Sequence, residues 1–122
     1  MKTGTILLVE DEAPVRAFAS RALRLRGYSV IEADCAERAL FILEDPDVDV
    51  QLFVTDVVMP GKDGPTWVCE ARGARPNIGV VFMSGYVESS LTETREKVPN
   101  SAFLPKPFSL IELTDIVASR LG

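Results

Sequence analysis

Five short runs of branched and aromatic residues recur along the chain, separated by longer stretches of mixed apolar and polar residues. The runs lie near residues 5–9, 28–33, 50–55, 78–83 and 102–104. Each run is almost continuously hydrophobic, which is typical of strands buried on both faces of a parallel sheet. The stretches between the runs are long enough for crossover helices. The pattern predicts an α/β fold in which five βα units form a single domain over residues 1–122.

The first two helices have recognisable beginnings and ends. Pro14 is expected at the first helical position of helix one, with Ala13 as its N-cap, and Gly27 ends that helix. Asp34 and Glu37 form a capping-box pattern at the start of helix two. Asp34 is therefore interpreted as a structural cap rather than a functional acid.

The other three helices differ in the strength of their signals. Helix three is expected to follow Gly64 and to stop at Gly73. Helix five opens with a second capping box, from Ser109 to Glu112. Residues 87–100 contain few apolar side chains and several serines and threonines, each of which lowers helix propensity by roughly a few tenths of a kcal/mol. A short and mobile fourth helix is expected there.

Four of the five runs end in a charged or hydroxyl side chain. Glu10 and Asp11 follow the first run, Asp56 the third, Ser84 the fourth and Lys106 the fifth. The carboxyl ends of neighbouring parallel strands lie side by side at one edge of a sheet. These side chains are therefore predicted to form one patch.

Asp56 is the strongest candidate for a functional residue. A loop follows it, so no helix N-terminus is present for it to cap. A carboxylate at the end of a buried strand is unfavourable unless it is paired or binds a metal. Asp11 and Asp56, with Glu10 holding a water, provide the oxygen ligands that Mg²⁺ prefers. A solvated acidic turn at the start of helix one is the alternative for Glu10 and Asp11.

Lys106 and Ser84 also have structural alternatives. Lys106 lies between Pro105 and Pro107, which restrict its direction, although a surface turn would accommodate it too. Ser84 precedes Gly85, which would leave room for a phosphoryl group, whereas taken alone it is an ordinary turn serine. Their position beside the acidic strand ends favours a functional interpretation of both.

Composition narrows the range of functions. The chain has no histidine, so it contains no Ser-His or Cys-His catalytic pair and no imidazole zinc site. A net charge of −5 argues against a nucleic-acid surface. Cys35 and Cys69 lack metal-binding spacing and favour a reducing compartment, and neither a secretion signal nor a membrane-spanning apolar stretch is visible. A cytoplasmic location is expected, and any phosphohistidine in the chemistry must belong to a partner.

These segments together resemble the receiver domain of two-component response regulators over essentially the whole chain. The resemblance is carried by VEDE at 9–12, DVVMPGKDG at 56–64, MSG at 83–85 and FLPKPF at 103–108. Any one of these motifs is weak. All four, in this order and spaced for five βα units, are highly specific.

The resemblance implies a flavodoxin-like (βα)5 three-layer sandwich with the strand order 2-1-3-4-5. It implies that Asp56 accepts a phosphoryl group and that Lys106 and Ser84 contact that group. It further implies that Phe103 turns inward when Ser84 is drawn to the phosphoryl group, and that the peptide bond between Lys106 and Pro107 is cis.

The metal site also follows from the resemblance. Mg²⁺ or Mn²⁺ would be bound by Glu10, Asp11, Asp56 and the backbone carbonyl of Val58. Val58 and Tyr86 would flank the path of an attacking water without positioning it. Hydrolysis of the acyl phosphate is therefore expected to be slower than in a Tyr86→Ala variant.

The phosphoryl donor implied by the resemblance is a sensor histidine kinase or a histidine phosphotransfer protein. Its helix is expected to dock near Pro14, Ala17 and Arg21, together with Pro107 and Phe108. Binding of nucleic acid, insertion into a membrane and self-association of this domain are not expected. Apart from such docking, most of the arginines of helix one are expected to form a solvated face; they are Arg16, Arg21, Arg24 and Arg26.

Segments 83–88 and 103–110 are similar to the receivers at the C-terminus of hybrid histidine kinases of the CckA type. Such a parent kinase would tether the domain to the inner membrane. A single-domain regulator fits the chain equally well. The domain itself is expected to be non-enzymatic, with any kinase activity in a parent chain outside these residues.

Other classes of protein match parts of the pattern. An aspartyl phosphatase would need a general acid two residues beyond Asp56, where this chain has Val58. A nucleotide-binding P-loop is excluded because Lys62 is followed by Asp63. An interaction module that is never phosphorylated is the remaining alternative, although it would not need the complete set of strand-end residues.

Overall fold

The computed structural model of the chain describes residues 4–85 and 88–121, apart from the side chains of residues 88–91. Five strands alternate with five helices along these residues. The strands are β1 (Thr5–Val9), β2 (Ser29–Ala33), β3 (Leu52–Asp56), β4 (Gly79–Ser84) and β5 (Ser101–Pro105). The helices are α1 (Ala13–Leu25), α2 (Ala36–Leu43), α3 (Gly64–Ala74), α4 (Glu88–Lys97) and α5 (Leu110–Leu121).

All strands are parallel, in the order β2-β1-β3-β4-β5, which confirms the predicted flavodoxin-like topology. Val9 at the end of β1 pairs with Thr55 of β3, and Ser84 at the end of β4 pairs with Pro105 of β5. Paired residues lie at the same level of the sheet. The residues that follow these pairs therefore leave the sheet together at its carboxyl edge.

The sheet separates two apolar layers. Alternate residues of β1 illustrate the division: Ile6 and Leu8 belong to the core that includes residues of α1 and α5. Leu7 and Val9 belong to the core that includes residues of α2 and α3. All four side chains are fully buried, and each such burial contributes about 1.5–3 kcal/mol relative to an exposed side chain. Burial on both faces explains the continuous hydrophobicity of the strands.

Two predicted N-caps are wrong. The N-cap of α1 is Glu12 rather than Ala13, and the Glu12 side chain makes no capping hydrogen bond. The N-cap of α2 is Cys35 rather than Asp34. The backbone remains extended at Cys35, so its Sγ is the atom that accepts the Arg38 N–H, at 3.4 Å.

A third cap was missed. Asp63 precedes α3, and its Oδ1 accepts a hydrogen bond from the Thr66 N–H at 2.9 Å. The helix therefore begins at Gly64 itself. This cap joins the start of α3 to the loop that follows β3.

Several other local predictions are confirmed. In the capping box of α5, the Ser109 N–H donates to Glu112 Oε1 at 2.9 Å and the Glu112 N–H donates to Ser109 Oγ at 3.0 Å. The peptide bond between Lys106 and Pro107 is cis. Gly27 follows α1 with a φ of 97°, in the region that favours glycine. Among the described helices, none combines the length and the apolar character that a membrane crossing requires.

Gly4 and Leu121 lie together at the edge of the sheet where the strands begin. A Cβ atom at Gly4 would be 3.6 Å from Leu121 Cδ1. Leu121 ends α5 and packs against the core shared with α1. The two ends of the described chain are thus neighbours, at the edge of the sheet opposite to the one that holds the charged strand ends.

Candidate functional site

The charged strand ends meet in one cleft at the carboxyl edge of the sheet. Glu10 leaves β1, Asp56 ends β3, Ser84 ends β4 and Lys106 follows β5. The cleft is lined by Asp11, Glu12, Asp56, Val58, Met83, Ser84, Gly85 and Lys106. Residues far apart in the chain are therefore brought together as the parallel register requires.

Lys106 bridges two buried carboxylates. Its Nζ lies 2.5 Å from Asp56 Oδ1 and 2.8 Å from Glu10 Oε1. Glu10 is 0% exposed and Asp56 is 3% exposed. Glu10 Oε2 accepts the Glu12 N–H at 3.0 Å, and the Lys106 N–H donates to the Ser84 carbonyl at 2.9 Å. The lysine is held by backbone and side chain, and its charge balances acids that would be unfavourable if left unpaired.

Three carboxylates offer ligands for a cation. Glu10, Asp11 and Asp56 each present one oxygen, and these oxygens lie within 4.8 Å of one another. Within the described part of the chain, Asp56 Oδ2 is buried and has no hydrogen-bond partner. A buried oxygen without a partner is uncommon, and a hard cation that takes carboxylate ligands would satisfy it. These residues therefore fit Mg²⁺ or Mn²⁺.

The same crowding sets the protonation of the cleft. Burial, with hydrogen bonding and repulsion from Glu10, raises the pKa of Asp56 to about 8 against the opposing effect of Lys106. Burial also acts to raise the pKa of Glu10, but hydrogen bonds with Asp56 and Lys106 outweigh it and lower that pKa. For Lys106, burial is outweighed by its two acidic partners, so its pKa is raised. In the absence of a cation, the raised pKa of Asp56 therefore shifts its equilibrium toward the protonated form.

Arg16 supports the acidic segment, although it was predicted to belong to a solvated face. Its Nη1 donates to the Glu10 carbonyl at 2.8 Å, and its Nε lies 3.6 Å from Glu32 Oε1. Arg24 similarly donates to the Val30 carbonyl at 2.7 Å. Both arginines therefore connect α1 to strands. The prediction of a solvated position is wrong for Arg16, which is partly buried, whereas Arg24 remains exposed as expected. Backbone carbonyl partners leave no pattern in the sequence, so no signal could have identified these contacts.

Ser84 and Phe103, the predicted switch residues, lie on neighbouring strands. Ser84 is buried at the end of β4. Phe103 pairs with Phe82 of β4, and their ring centroids are 5.8 Å apart. The guanidinium of Arg95, on α4, lies 4.8 Å from the centroid of the Phe103 ring. The half-buried Phe103 ring therefore contacts both the sheet and α4.

Val58 is 54% exposed and lines the mouth of the cleft. The predicted effect of Tyr86 on the lifetime of an acyl phosphate concerns a residue outside the described part of the chain.

An apolar groove adjoins the cleft. It is lined by Pro14, Val15, Phe18, Lys106, Pro107 and Phe108. Phe18 is 44% exposed, and its ring centroid lies 6.2 Å from that of Phe108. Ala17 and Arg21, the other predicted docking residues, are exposed on α1. Because the groove and the acidic cleft share Lys106, a protein bound in the groove would lie beside Asp56.

A parallel sheet of this order, with two acids, an aspartate and a lysine at its carboxyl edge, defines a receiver domain of two-component signalling. A family model described as the response regulator receiver domain matches residues 6–118. The chain belongs to the response regulator receiver family.

Similar proteins include the sensor kinase CckA of Brucella abortus, which is 44% identical over 98% of this chain. The match covers 13% of that kinase, so the chain spans a small part of its length. The response regulator receiver protein CpdR of the same organism is 30% identical, with 95% of each protein covered.

Solved structures agree with these similarities. The crystal structure of the receiver domain from the hybrid histidine kinase CckA has a TM-score of 0.84 and 42% identity, covering 98% of this chain and all of that one. The Vibrio cholerae chemotaxis protein CheY4 has a TM-score of 0.88, covers 98% of this chain and 99% of that one, and at 21% identity is similar in fold alone. The expected resemblance to receivers of CckA-type kinases is confirmed.

Membership of this family settles the general class of activity. Receivers are regulatory domains that are generally non-enzymatic, and they generally bind Mg²⁺. They interact with histidine kinases or histidine phosphotransfer proteins.

Proposed function

We propose that residues 1–122 form a single receiver domain that accepts a phosphoryl group on Asp56 from the phosphohistidine of a partner protein. The observation that carries the proposal is the setting of Asp56. One carboxylate oxygen is paired with Lys106 at 2.5 Å, and the other is buried without a hydrogen-bond partner among the described residues, within reach of Asp11 and Glu10. A structural aspartate would have both oxygens satisfied by the protein.

The transfer is an in-line displacement at phosphorus. An oxygen of the Asp56 carboxylate forms a bond to phosphorus while the phosphorus–nitrogen bond of the donor phosphohistidine breaks. The bonding electron pair leaves with the imidazole nitrogen, and the product is an acyl phosphate on Asp56. Because phosphoryl transfer depends mainly on positioning and on neutralising charge, Lys106 contributes by its fixed ammonium group. Ser84 contributes a hydroxyl donor to a phosphoryl oxygen.

Glu10, Asp11, Asp56 and the Val58 carbonyl would hold Mg²⁺ or Mn²⁺. When bound, the cation supplies positive charge for the phosphoryl oxygens and favours the ionised form of Asp56. The remaining contributions belong to the chain: Glu10 keeps Lys106 beside Asp56, and Arg16 holds the backbone of Glu10.

The response to phosphorylation is assigned to β4, α4 and β5. Ser84 would move toward the phosphoryl group, and Phe103 would turn inward into the space this movement leaves. The Arg95 guanidinium over the Phe103 ring, at 4.8 Å, would lose that contact. This would couple the chemical change to the exposed surface of α4.

The phosphoryl donor would be a sensor histidine kinase or a histidine phosphotransfer protein. Its docking site would be the apolar groove beside Lys106, whose exposed Phe18 and partly buried Phe108 suit the apolar face of a partner helix. We further propose that the domain is monomeric, binds no nucleic acid and acts in the cytoplasm, alone or within a hybrid kinase tethered to the inner membrane.

The test uses acetyl phosphate with Mg²⁺ as a small phosphoryl donor. Wild-type protein should gain the mass of one phosphoryl group, and Asp56→Asn should gain none. Asp34→Asn is the matched control, because Asp34 also follows a strand and carries the same charge but lies outside the acidic cluster. Full phosphoryl uptake by Asp56→Asn would refute the assignment.

The same fold could serve as an interaction module that is never phosphorylated. Beryllofluoride binding separates the two functions, since this phosphoryl analogue needs both the acceptor carboxylate and the cation. Binding that depends on Mg²⁺ supports phosphoryl acceptance. No binding by the folded wild-type protein would support the interaction module.

A further inference from the structure

A chain of buried hydrogen bonds runs from α3 to the backbone of Asp56. The indole Nε1–H of Trp67 donates to Thr55 Oγ1 at 3.1 Å. The Thr55 hydroxyl in turn donates to the Asp56 carbonyl oxygen at 3.0 Å. Thr55 and Trp67 are both 0% exposed. A threonine hydroxyl has one proton to donate, and here that proton is directed to the backbone of the acceptor residue.

The Trp67 ring is itself held in place. Its centroid lies 4.9 Å from that of Phe53, in a tilted arrangement. Phe53 and Thr55 are two residues apart on β3, so their side chains lie on the same face of the sheet. The ring packs on the first residue while its N–H reaches the second, which fixes the direction of the hydrogen bond.

The peptide that links Asp56 to the following loop is also constrained by α3 and β4. The first residue of α3, Gly64, packs so closely that a Cβ atom there would overlap the Asp56 carbonyl oxygen. The Gly64 N–H donates to the Val57 carbonyl at 2.8 Å, and the Val57 N–H donates to the Met83 carbonyl at 3.2 Å. The orientation of Asp56 is therefore determined by β4, α3 and the Thr55 hydroxyl together.

Packing alone does not require a hydroxyl at position 55. Its neighbours in β3 that fill the cores are apolar, and valine has nearly the same shape as threonine. A buried hydroxyl is unfavourable unless its hydrogen bonds are made. Of the two hydrogen bonds made by the Thr55 hydroxyl, one orients the Asp56 carbonyl and the other orients the Trp67 indole.

We propose that Thr55 and Trp67 are positioning residues for phosphoryl transfer, which deepens the function proposed above and rests on it. Trp67 orients the Thr55 hydroxyl, and that hydroxyl fixes the plane of the Asp56 peptide. This plane directs the Asp56 carboxylate toward Lys106, Glu10 and Asp11. The acceptor oxygen is thereby placed for attack before a donor arrives. Small displacements of a reacting atom lower rates strongly, so loss of the hydrogen bond lowers the rate of transfer.

The experiment compares Thr55→Val, which keeps the shape and removes the hydroxyl, with Thr55→Ser, which keeps the hydroxyl. The rate of phosphorylation by acetyl phosphate is measured at saturating Mg²⁺. The rate for Thr55→Val is expected to fall by about tenfold, and Thr55→Ser is expected to stay within about threefold of wild type. Thermal unfolding of each variant is recorded so that rates are compared on folded protein.

Val54→Ala is the matched control for stability. Val54 is fully buried on the same strand, but it belongs to the opposite core. The Val54→Ala substitution should lower the melting temperature without changing the rate of phosphorylation. If Thr55→Val has a wild-type rate, or if Val54→Ala slows transfer as much as Thr55→Val does, the positioning role is refuted.

Trp67→Phe provides an independent test, because it removes the indole N–H, together with part of the ring volume, and leaves an aromatic ring against Phe53. If Trp67 acts only through Thr55, removing both groups costs no more than removing the hydroxyl. The double variant Trp67→Phe with Thr55→Val should therefore be phosphorylated at the same rate as Thr55→Val alone. Effects that multiply would show that the two residues act separately, against the proposal. Failure of the proposed function itself is distinguishable, since wild-type protein would then take up no phosphoryl group at all.

Discussion

At the scale of single residues, the cleft brings together the ionisable groups of Glu10, Asp56 and Lys106, and ionising all three at once is unfavourable. Glu10 and Asp56 are both buried, and one lysine is shared between them. Two carboxylates close together disfavour each other's ionisation, so one of them keeps its proton unless a further cation arrives. The raised pKa of Asp56 follows from this arrangement.

The raised pKa of Asp56 predicts how stability changes with pH in the presence of a chelator. The folded protein holds a proton up to a pKa of about 8, whereas the usual value for an aspartate is 3.8. Folded protein therefore binds more protons than unfolded protein in this window, and its stability falls as pH rises. The slope for one proton is at most about 1.4 kcal/mol per pH unit.

Asp56→Asn removes this titration and should therefore be more stable than wild type, by a margin that grows between about pH 5 and about pH 8. Urea unfolding in EDTA measures the difference. The other two shifts lie outside this window. The lowered pKa of Glu10 acts below its usual 4.5, and the raised pKa of Lys106 acts above its usual 10.5. A margin that shrinks as pH rises would contradict the protonation assigned to Asp56.

At the scale of elements, the contact between the end of β3 and the start of α3 constrains the site most tightly. No side chain fits at Gly64, because its Cβ position overlaps the Asp56 carbonyl oxygen, a backbone atom that cannot move aside freely. Gly73, near the other end of the same helix, has open space around its Cβ position. The helix thus offers two glycines that differ in what surrounds them.

Gly64→Ala should destabilise the protein by about 2 kcal/mol or more and should slow phosphorylation, because α3 must shift away from Asp56. Gly73→Ala should stabilise the protein by about 0.5–1 kcal/mol, since alanine is the better helix former. Urea unfolding measures the stability of both variants, and acetyl phosphate is used to measure their rates of phosphorylation. Equal effects of the two substitutions would mean that the close contact at Gly64 is unimportant.

The elements themselves were largely predictable, because each depends on a local pattern. Apolar runs predicted the strands, and Ser109 with Glu112 predicted a cap that forms as expected. Asp34 has the same pattern with Glu37, yet Cys35 caps the helix because the backbone is still extended there. Sequence spacing predicts that a helix begins but does not determine which of two adjacent side chains reaches the free N–H.

Contacts between distant elements were not predictable in this way. The strand ends could be grouped because parallel strands share an edge, and this placed Glu10, Asp56 and Lys106 correctly in one cleft. The hydrogen bond from Trp67 to Thr55 depends on the packing of α3 against β3, which no spacing rule specifies. The sequence therefore predicts the members of the cleft better than it predicts what supports them.

At the scale of the whole molecule, binding of a ligand at the carboxyl edge of the sheet should increase the free energy of unfolding of the entire domain. A ligand that binds only folded protein raises the free energy of unfolding, by about 2.7 kcal/mol at a hundredfold excess over its dissociation constant. Trp67 is the only tryptophan of the chain and is fully buried. Its emission therefore follows unfolding of the whole domain.

Mg²⁺ is expected to shift the urea midpoint of wild type upward, as followed by Trp67 emission. Asp11→Asn should lose most of this shift, because Asp11 contributes one of the three clustered oxygens. Asp34→Asn should retain the shift, since it lies outside that cluster. An equal shift in wild type and Asp11→Asn would place the cation elsewhere on the protein.

The proximity of Gly4 to Leu121 has a consequence for how this domain can be joined to others. Both residues lie at the edge of the sheet where the strands begin, whereas the cleft is at the opposite edge. A fluorescent protein, a surface anchor or an enzyme attached at either end would stand away from the groove proposed to receive a partner. Because the two ends are neighbours, the domain could be inserted as a cassette into a surface loop of another protein, and the ends could also be linked by a short connection and the chain reopened elsewhere as a circular permutant.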